Sequence, residues 1–298
     1  MNRLIGTAVA ATAAALLIGC AAKEAAKPDS TKPAQAGAPA AAPASLGSFD
    51  PATHVAVIHA KDFAFDAPDS ITAGWTTFHL VNDGSTLHHA QLVRLDSGKT
   101  VADLQTALKN PGPPPRWIVE VGGANAPDPN GQADATMNLE AGNYAIVCFV
   151  DIPDHVMHVN KGMVHGLKVT AGTGTPAPEP TSDATVTLVD YAFTVQGSLN
   201  AGKHTIKLVN KGPQVHEVEL VRLAPGKTLK DLIAFMQKMD GPPPANALGG
   251  VAGMSPGATA YFRTDLTPGN YAFICFVPDM KDGKPHVEHG MSKEFTVK

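Results

Sequence analysis

One sequence period runs through most of this chain of 298 residues, and such an internal repeat restricts the possible folds more than any other feature. The segment Asp62-Phe63-Ala64-Phe65 recurs at a shift of 128 residues as Asp190-Tyr191-Ala192-Phe193. Further segments recur at nearly the same shift: 92–95 as 220–223, 98–100 as 226–228, 112–115 as 241–244 and 142–145 as 269–272. A unit of about 120 residues has the size of one domain rather than of a solenoid repeat. The sequence therefore predicts two copies of one domain, each folding around its own core.

The two copies are expected at residues 51–172 and 185–298, separated by a linker at 173–184 that is rich in Pro, Gly and Thr. Within the first copy, Gly, Pro and Asn separate short runs of β-forming residues: 55–65, 76–82, 89–94, 118–121, 143–150 and 167–170. This spacing predicts an all-β protein made of two tandem antiparallel β-sandwiches.

One short helix is predicted inside each copy. In the first copy, Thr100-x-x-Asp103 has the pattern of a capping box, in which the two side chains satisfy free backbone groups at a helix start. The Pro-rich segments 112–115 and 241–244 follow the two helices and should end them. Because proline cannot donate a ladder hydrogen bond, both segments should lie outside the sheets.

The N-terminus is predicted to be an export signal rather than part of a fold. Arg3 precedes an apolar run over residues 4–18, which is typical of a signal peptide at residues 1–19. The tetrad Leu-Ile-Gly-Cys that ends at Cys20 resembles the lipobox of bacterial lipoproteins, which implies that Cys20 carries a lipid. The alternative is an ordinary cleaved signal peptide followed by an unrelated cysteine.

Residues 20–50 are mostly Ala, Pro, Lys, Ser and Gly, so we expect a disordered tether between the lipid and the first domain. Ala21 does not match the aspartate that retains lipoproteins in the inner membrane, which slightly favours an outer membrane. The expected location is the cell envelope, facing the periplasm or the exterior. A formal charge of -4 argues against a nucleic-acid partner.

Two cysteines occupy the same place in the repeat. Cys148 and Cys275 both stand in a Cys-Phe-Val string, so they should lie in different cores. They are then too far apart for a disulfide, which needs Cα atoms roughly 4.4 to 6.8 Å apart. Unpaired thiols in an exported protein need an explanation, and an inert buried residue is the simplest one.

Metal binding is the alternative, because each cysteine has the same neighbours in sequence. Both copies contain Asn-x-Gly-x-x-x-His upstream and His-x-x-x-Gly-Met downstream of the cysteine. The candidate ligands are His88, Cys148, His158 and Met163 in the first copy, and His216, Cys275, His286 and Met291 in the second. Two imidazoles, a thiolate and a weak axial thioether form the ligand set of a type 1 copper centre. The sequence thus predicts two copper ions per chain, with binding that weakens in acid because the thiol must lose its proton.

The ligand order Asn-x-Gly…His…Cys…His…Met resembles that of the cupredoxins, such as plastocyanin, azurin and rusticyanin, over residues 51–298. The resemblance implies a Greek-key sandwich of eight strands in each copy, with copper near one end, and a role in moving single electrons. This chain departs from the pattern in one respect. Nine residues separate Cys148 from His158 and ten separate Cys275 from His286, which is a longer loop than in those proteins.

The other histidines are weaker candidates for metal ligands. His89 adjoins His88, but strand alternation should direct it to the opposite face, and the second copy has Glu217 there. His155 and His289 each lack a counterpart in the other copy. The remaining isolated histidines are interpreted as surface or strand residues: His54, His59, His79, His165 and His204.

The two sets of candidate copper ligands predict electron transfer with redox proteins of the cell envelope. The lipid expected on Cys20 would anchor the protein to a membrane there. We expect no enzyme, because the residues that flank Cys148 and Cys275 are not the histidines with which multicopper oxidases and nitrite reductases link further coppers. The alternatives are a periplasmic copper carrier or buffer, and a structural protein with the same fold and degenerate sites.

Overall fold

The computed structural model describes residues 45–110, 114–152, 154–172 and 177–298. The signal peptide predicted at 1–19 and the lipid site predicted at Cys20 lie outside the described residues. The same holds for most of the tether, for part of the segment 112–115 and for part of the linker at 173–184.

The described part of the chain is nearly all β-structure, as predicted. Its strands are β1 Ser48–Asp50, β2 Val55–Lys61, β3 Ala64–Asp66, β4 Ser70–Thr72, β5 Gly74–Asn82, β6 Ala90–Leu95, β7 Ile118–Ala124, β8 Gln132–Leu139, β9 Gly142–Val147, β10 Val164–Thr170, β11 Ala184–Val189, β12 Ala192–Gly197, β13 Gly202–Asn210, β14 His216–Leu223, β15 Ala245–Met254, β16 Thr259–Leu266, β17 Gly269–Ile274 and β18 Ser292–Val297. Its helices are α1 Val101–Leu108 and α2 Leu229–Lys238, and two short 3-10 turns cover His158–Lys161 and His286–His289.

Both helices begin with the capping box that the sequence predicts. The Thr100 hydroxyl accepts a hydrogen bond from the Asp103 backbone N–H at 3.2 Å, and the Thr100 backbone N–H donates to the Asp103 carboxylate at 2.9 Å. These two bonds satisfy backbone donors that the first helical turn leaves free. Leu104 is fully buried and fixes α1 against the sheet. The segment Gly241–Pro244 lies outside the strands, as expected for a Pro-rich stretch.

The strands form two sheets of nine strands each among the described residues, and each sheet contains strands of both copies. In the first sheet β8 pairs with β16, and in the second sheet β7 pairs with β15, in both cases antiparallel. Each pairing covers a strand edge that would otherwise expose free N–H and C=O groups. The two copies are therefore joined by backbone hydrogen bonds as well as by the chain.

Each copy has a small cluster of buried apolar side chains of its own, and a larger cluster runs through both copies. It includes Ile58 and Leu92 from the first copy and Val186 and Leu220 from the second. The sequence predicts a separate core in each copy, whereas this larger cluster packs side chains of both copies together. Strand alternation places these side chains, since alternate residues of β2 are buried. No helix in the described residues is long and apolar enough to span a membrane.

Candidate metal centre

The antiparallel pairing of two strands brings the first histidine of each set to the cysteine. His88 lies just before β6, and Cys148 follows the last residue of β9. Because β6 and β9 are antiparallel neighbours, the start of one lies beside the end of the other. In the second copy β14 and β17 pair in the same way and place His216 beside Cys275.

A single tight turn supplies the second histidine. His158 begins a 3-10 turn that ends at Gly162, whose φ of 103° lies in the left-handed region that favours glycine. The Met163 N–H donates back to the His158 carbonyl at 3.0 Å, and the Cys148 N–H donates to the Met163 carbonyl at 3.3 Å. The string His-x-x-x-Gly-Met is thus the sequence of a turn that holds histidine and methionine next to the cysteine backbone.

The string Asn-x-Gly builds the loop in front of the first histidine. The Asn82 side chain donates to the carbonyls of Thr86 and Pro127, at 2.9 Å each, and its oxygen accepts from the Gly84 N–H at 3.1 Å. Gly84 leaves room for the imidazole, because a Cβ at this position would lie 2.5 Å from Nε2 of His88. Gly212 has the same relation to His216 in the second copy.

The structure brings the predicted imidazoles and thiol together in both copies. In the first copy, Nδ1 of His158 lies 3.5 Å from Sγ of Cys148 and 3.0 Å from Nδ1 of His88, which is itself 4.0 Å from the sulfur. In the second copy, Nδ1 of His286 lies 3.4 Å from Sγ of Cys275 and 3.1 Å from the His216 ring. All six residues are fully buried. We call these sets the first centre and the second centre.

The outer ring nitrogens show which tautomer each histidine adopts. Nε2 of His158 lies 3.0 Å from the Ile152 carbonyl, which can only accept, so this nitrogen carries the proton. Nε2 of His88 lies 2.9 Å from the Asp62 carboxylate and donates in the same way. Both Nδ1 atoms then present lone pairs to each other and to the sulfur. Such a pocket of acceptors fits a soft cation that prefers nitrogen and sulfur ligands.

Burial determines the charges of the first centre. It lowers the pKa of His88 and of His158, although a hydrogen bond to Asp62 opposes the effect on His88. It raises the pKa of Cys148 to about 12. The two imidazoles are therefore neutral at pH 7 and the metal-free thiol keeps its proton. A bound metal must displace that proton.

The second centre has the same pattern with more carboxylates around it. Burial lowers the pKa of His286 and raises that of Cys275, the latter together with the nearby Glu217. Nε2 of His216 lies 2.9 Å from the Asp190 carboxylate, as in the first centre. Nε2 of His286, however, faces the buried Asp279 carboxylate at 3.6 Å instead of a carbonyl.

Aromatic side chains cover the imidazoles. Phe63 packs edge-on against the ring of His158, with centroids 5.0 Å apart, and the Lys161 ammonium lies over the Phe63 ring, 4.4 Å from its centroid. Tyr191, the counterpart of Phe63, packs against His286 and donates its hydroxyl proton to Asp279 at 2.6 Å. These rings keep water away from the histidines and restrict their rotation.

The two predicted axial methionines are fully buried beside the centres. Met163 and Met291 belong to the apolar core, and the Cys275 N–H donates to the Met291 carbonyl at 3.2 Å, as in the first copy. These hydrogen bonds hold the backbones of the two methionines next to those of the cysteines.

The other histidines lie outside these sets. His89 points away from His88 and accepts a hydrogen bond from the Phe149 N–H at 2.8 Å, in agreement with strand alternation. His289 lies near Asp282 at the surface, with Nε2 3.2 Å from the carboxylate. His155 is exposed and adopts a positive φ of 59°.

The sequence did not predict the carboxylates that lie beside the outer ring nitrogens of the histidines. Asp62 and Asp190 are the first residues of the recurring segments Asp-Phe-Ala-Phe and Asp-Tyr-Ala-Phe, so the repeat itself contained the signal. Asp279 matches Asp151 at the 128-residue shift of the second histidines, but in the first copy the Ile152 carbonyl contacts the ring, so the repeat did not show that Asp279 lies beside His286. Partners of this kind orient a ligating histidine and increase its basicity.

Comparison with known proteins gives weak similarities. No protein-family model matches the chain, and no curated protein matches it. Among solved structures, the dithionite-reduced auracyanin of Roseiflexus castenholzii has 19% identity and a TM-score of 0.29, covering 40% of this chain and 97% of that chain. The blue copper protein auracyanin A of Chloroflexus aurantiacus has 19% identity and a TM-score of 0.27, covering 39% of this chain and 99% of that chain.

A multicopper oxidase has 14% identity and a TM-score of 0.27, covering 85% of this chain and 92% of that chain. In its ligand set and ligand order the chain resembles the cupredoxins.

Proposed function

We propose that this chain is a copper-binding electron-transfer protein with one type 1 copper centre in each of two cupredoxin-like Greek-key sandwiches. The observation that carries the proposal is the convergence of two neutral imidazoles on one buried cysteine, in both copies. The donor set matches the copper chemistry, because two imidazoles and a thiolate bind both Cu(I) and Cu(II).

Each residue of the first centre has a distinct role in this proposal. His88, Cys148 and His158 would hold the ion, with Met163 as the weak axial ligand. The ion supplies reversible one-electron chemistry when bound. The Asp62 carboxylate fixes the His88 ring, and the Ile152 carbonyl fixes the His158 ring, so the ligands keep their positions in both oxidation states.

The cellular context is part of the same proposal. A lipid on Cys20 would anchor the protein to a membrane of the cell envelope, and the partners would be redox proteins on the periplasmic or outer side. We propose no enzymatic activity. The residues beside Cys148 are Val147 and Phe149, so no histidine next to the thiolate is available for a further copper.

Loading the purified chain with Cu(II) tests the proposal. We expect an intense visible thiolate-to-copper band, a narrow hyperfine pattern in the EPR spectrum and reversible reduction. Tight Cu(I) binding without a stable blue Cu(II) form would support a copper carrier instead. Failure to take up copper would refute both functions and leave a structural role.

Single substitutions test whether the chain has two separate copper centres. Cys148→Ser and Cys275→Ser should each remove one blue copper and leave the other. His289→Ala is a matched control, since this histidine lies near the second centre but outside the ligand set, and it should leave both coppers in place. Loss of both coppers from either serine variant would contradict independent centres.

A further inference from the structure

A further group of metal-binding side chains lies beside the second centre. Asp279 and Asp282 belong to the loop between Cys275 and His286, and His289 ends the 3-10 turn that begins at His286. One possible ligand atom of each of Asp279, Asp282 and His289 lies within 4.8 Å of the other two. Asp279 is buried, whereas Asp282 and His289 are exposed. We call these three residues the outer cluster, and it is open to solvent on one side.

Backbone hydrogen bonds hold the two carboxylates on one tight turn. The Asp279 N–H donates to the Lys284 carbonyl and the Gly283 N–H donates to the Asp279 carbonyl, at 2.8 Å each. The Lys284 N–H in turn donates to the Asp282 carboxylate at 3.0 Å. Gly283 has a φ of 74°, in the left-handed region that favours glycine. The turn therefore fixes both aspartates on the same side as His289.

The buried carboxylate of the cluster is charged and keeps an acceptor position free. The Tyr191 hydroxyl and the Gln214 amide donate to Oδ2 of Asp279 at 2.6 and 3.0 Å, and the Lys281 N–H donates to Oδ1 at 2.8 Å. These hydrogen bonds hold the pKa of Asp279 well below its ordinary value. A carboxylate has about four acceptor positions, so these three bonds leave about one for a ligand, on Oδ1.

The first copy has a different cation partner at the same place. At a shift of 128 residues, Asp154 matches Asp282 and Lys161 matches His289. The Lys161 ammonium lies 2.7 Å from the Asp154 carboxylate, whereas Nε2 of His289 lies 3.2 Å from that of Asp282. An ammonium has only protons to donate, but a neutral imidazole has a lone pair for a metal ion. Only the second copy therefore has three groups here that can act as ligands.

The outer ring nitrogen of His286 connects the outer cluster to the second centre. It is buried and has no hydrogen-bond partner among the described residues, and it lies 3.6 Å from Oδ2 of Asp279. The matching nitrogen of His158 lies 3.0 Å from the Ile152 carbonyl. A change of charge at Asp279 therefore acts at short range on a candidate copper ligand, in the second copy only.

We propose that Asp279, Asp282 and His289 form a third metal site, which takes a divalent transition-metal ion such as Zn(II) and raises the midpoint potential of the second copper. Zn(II) takes imidazole nitrogen and carboxylate oxygen ligands, and a site with three protein ligands keeps one position for water. The bound cation offsets the negative charge of Asp279, which otherwise stabilises the oxidised second centre. The Zn(II) site stands without the proposed function, and its effect on the potential rests on that function.

Calorimetric titration with Zn(II) tests the site in two backgrounds. One is the chain loaded with two equivalents of Cu(II), and the other is the metal-free double variant Cys148→Ser, Cys275→Ser, in which both candidate copper centres lack their thiol. His289→Lys, which copies the first copy, should lose one Zn(II) per chain in both backgrounds. Asp282→Asn, at an exposed position, should lose the same equivalent. Excess Mg(II) should not displace this Zn(II), because Mg(II) prefers oxygen ligands.

His59→Lys is the matched control. It makes the same replacement at another pair of histidine and aspartate, where Nδ1 of His59 lies 2.7 Å from the Asp83 carboxylate. This pair belongs to none of the three-ligand groups among the described residues, so the variant should keep all its Zn(II). In the copper-loaded wild type, Zn(II) should raise the midpoint potential of the second centre and leave that of the first unchanged. The single variants Cys148→Ser and Cys275→Ser assign the two potentials.

Three results would overturn the inference. These are unchanged Zn(II) binding in the His289→Lys variant, equal loss in the His59→Lys control, and Zn(II) binding without a change in the potential of the second copper, which would show that Asp279 is not a ligand. Absence of a blue band from the copper-loaded wild type would instead refute the proposed function. The Zn(II) count in the double serine variant would then still decide whether the third site exists.

Discussion

Adding one methyl group at Gly84 should disable the first centre and leave the second intact. A Cβ built there lies 2.5 Å from Nε2 of His88, 2.6 Å from Cδ2 of the same ring and 2.7 Å from Oδ1 of Asp62. Ordinary contacts are about 3.5 Å, so the ring must retreat by about 1 Å. The loop cannot absorb this shift, because the Gly84 N–H is bonded to Asn82 and the next residue is bonded to Asp62.

The displacement is large compared with what a metal site tolerates. Ligands must be held within about 0.5 Å of their working positions. Gly84→Ala also disturbs the Asp62 contact, and loss of such a partner typically costs about 10-fold to 100-fold in metal affinity. We therefore expect the first centre to bind copper at least about tenfold more weakly. The second centre should keep its affinity, because the clash does not reach it.

Competition with a chelator, followed by the visible band and EPR, measures the two affinities. Gly172→Ala is the control, since a Cβ there meets its nearest neighbour at an ordinary 3.7 Å. Gly212→Ala should produce the mirror result and weaken only the second centre. Unchanged copper affinity and an unchanged spectrum in the Gly84 variant would show that His88 is not a ligand held by this loop.

Three further predictions follow from the structure. Asp62→Asn should weaken copper binding at the first centre by about 10-fold to 100-fold, measured by the same competition, whereas an equal effect on both centres would contradict a local role. The raised pKa of Cys148 means that the metal-free thiol is protonated, whereas the copper-bound sulfur is not. Calorimetry in buffers of different ionisation enthalpy should therefore detect about one proton released per copper at pH 7. For the same reason the copper affinity should fall about tenfold for each pH unit toward acid. The second copy expressed alone, residues 185–298, should self-associate through the uncovered edges of β15 and β16 in size-exclusion chromatography, and a stable monomer would show that the pairing between copies is dispensable.

The candidate metal ligands could be predicted from the sequence because each depends on local structure. His158 and Met163 are the two ends of one turn, and the glycine between them is required by its left-handed backbone. His88 and Cys148 lie at strand ends that any antiparallel pairing of those two strands brings together. The repeat strengthened both inferences, because it showed the same spacing twice.

The groups around the candidate ligands were harder to predict. Asp62 lies in a recurring segment, yet nothing in its spacing shows which histidine it contacts. Asn125 and Glu217 are 92 residues apart and belong to different copies. Their contact depends on how the two copies are placed, which short sequence patterns do not specify.

The sequence by itself determined the β-rich fold, the duplication and the two sets of imidazole and thiol groups, since these follow from alternation, turn chemistry and spacing within one copy. The tertiary structure decided that the copies share two sheets and their larger apolar cluster, and that a carboxylate faces one centre where a carbonyl faces the other. The physical reason is the range of the interactions. Ligand spacing is a property of a few consecutive residues, whereas strand pairing between copies depends on edges that become neighbours only when the whole chain has folded.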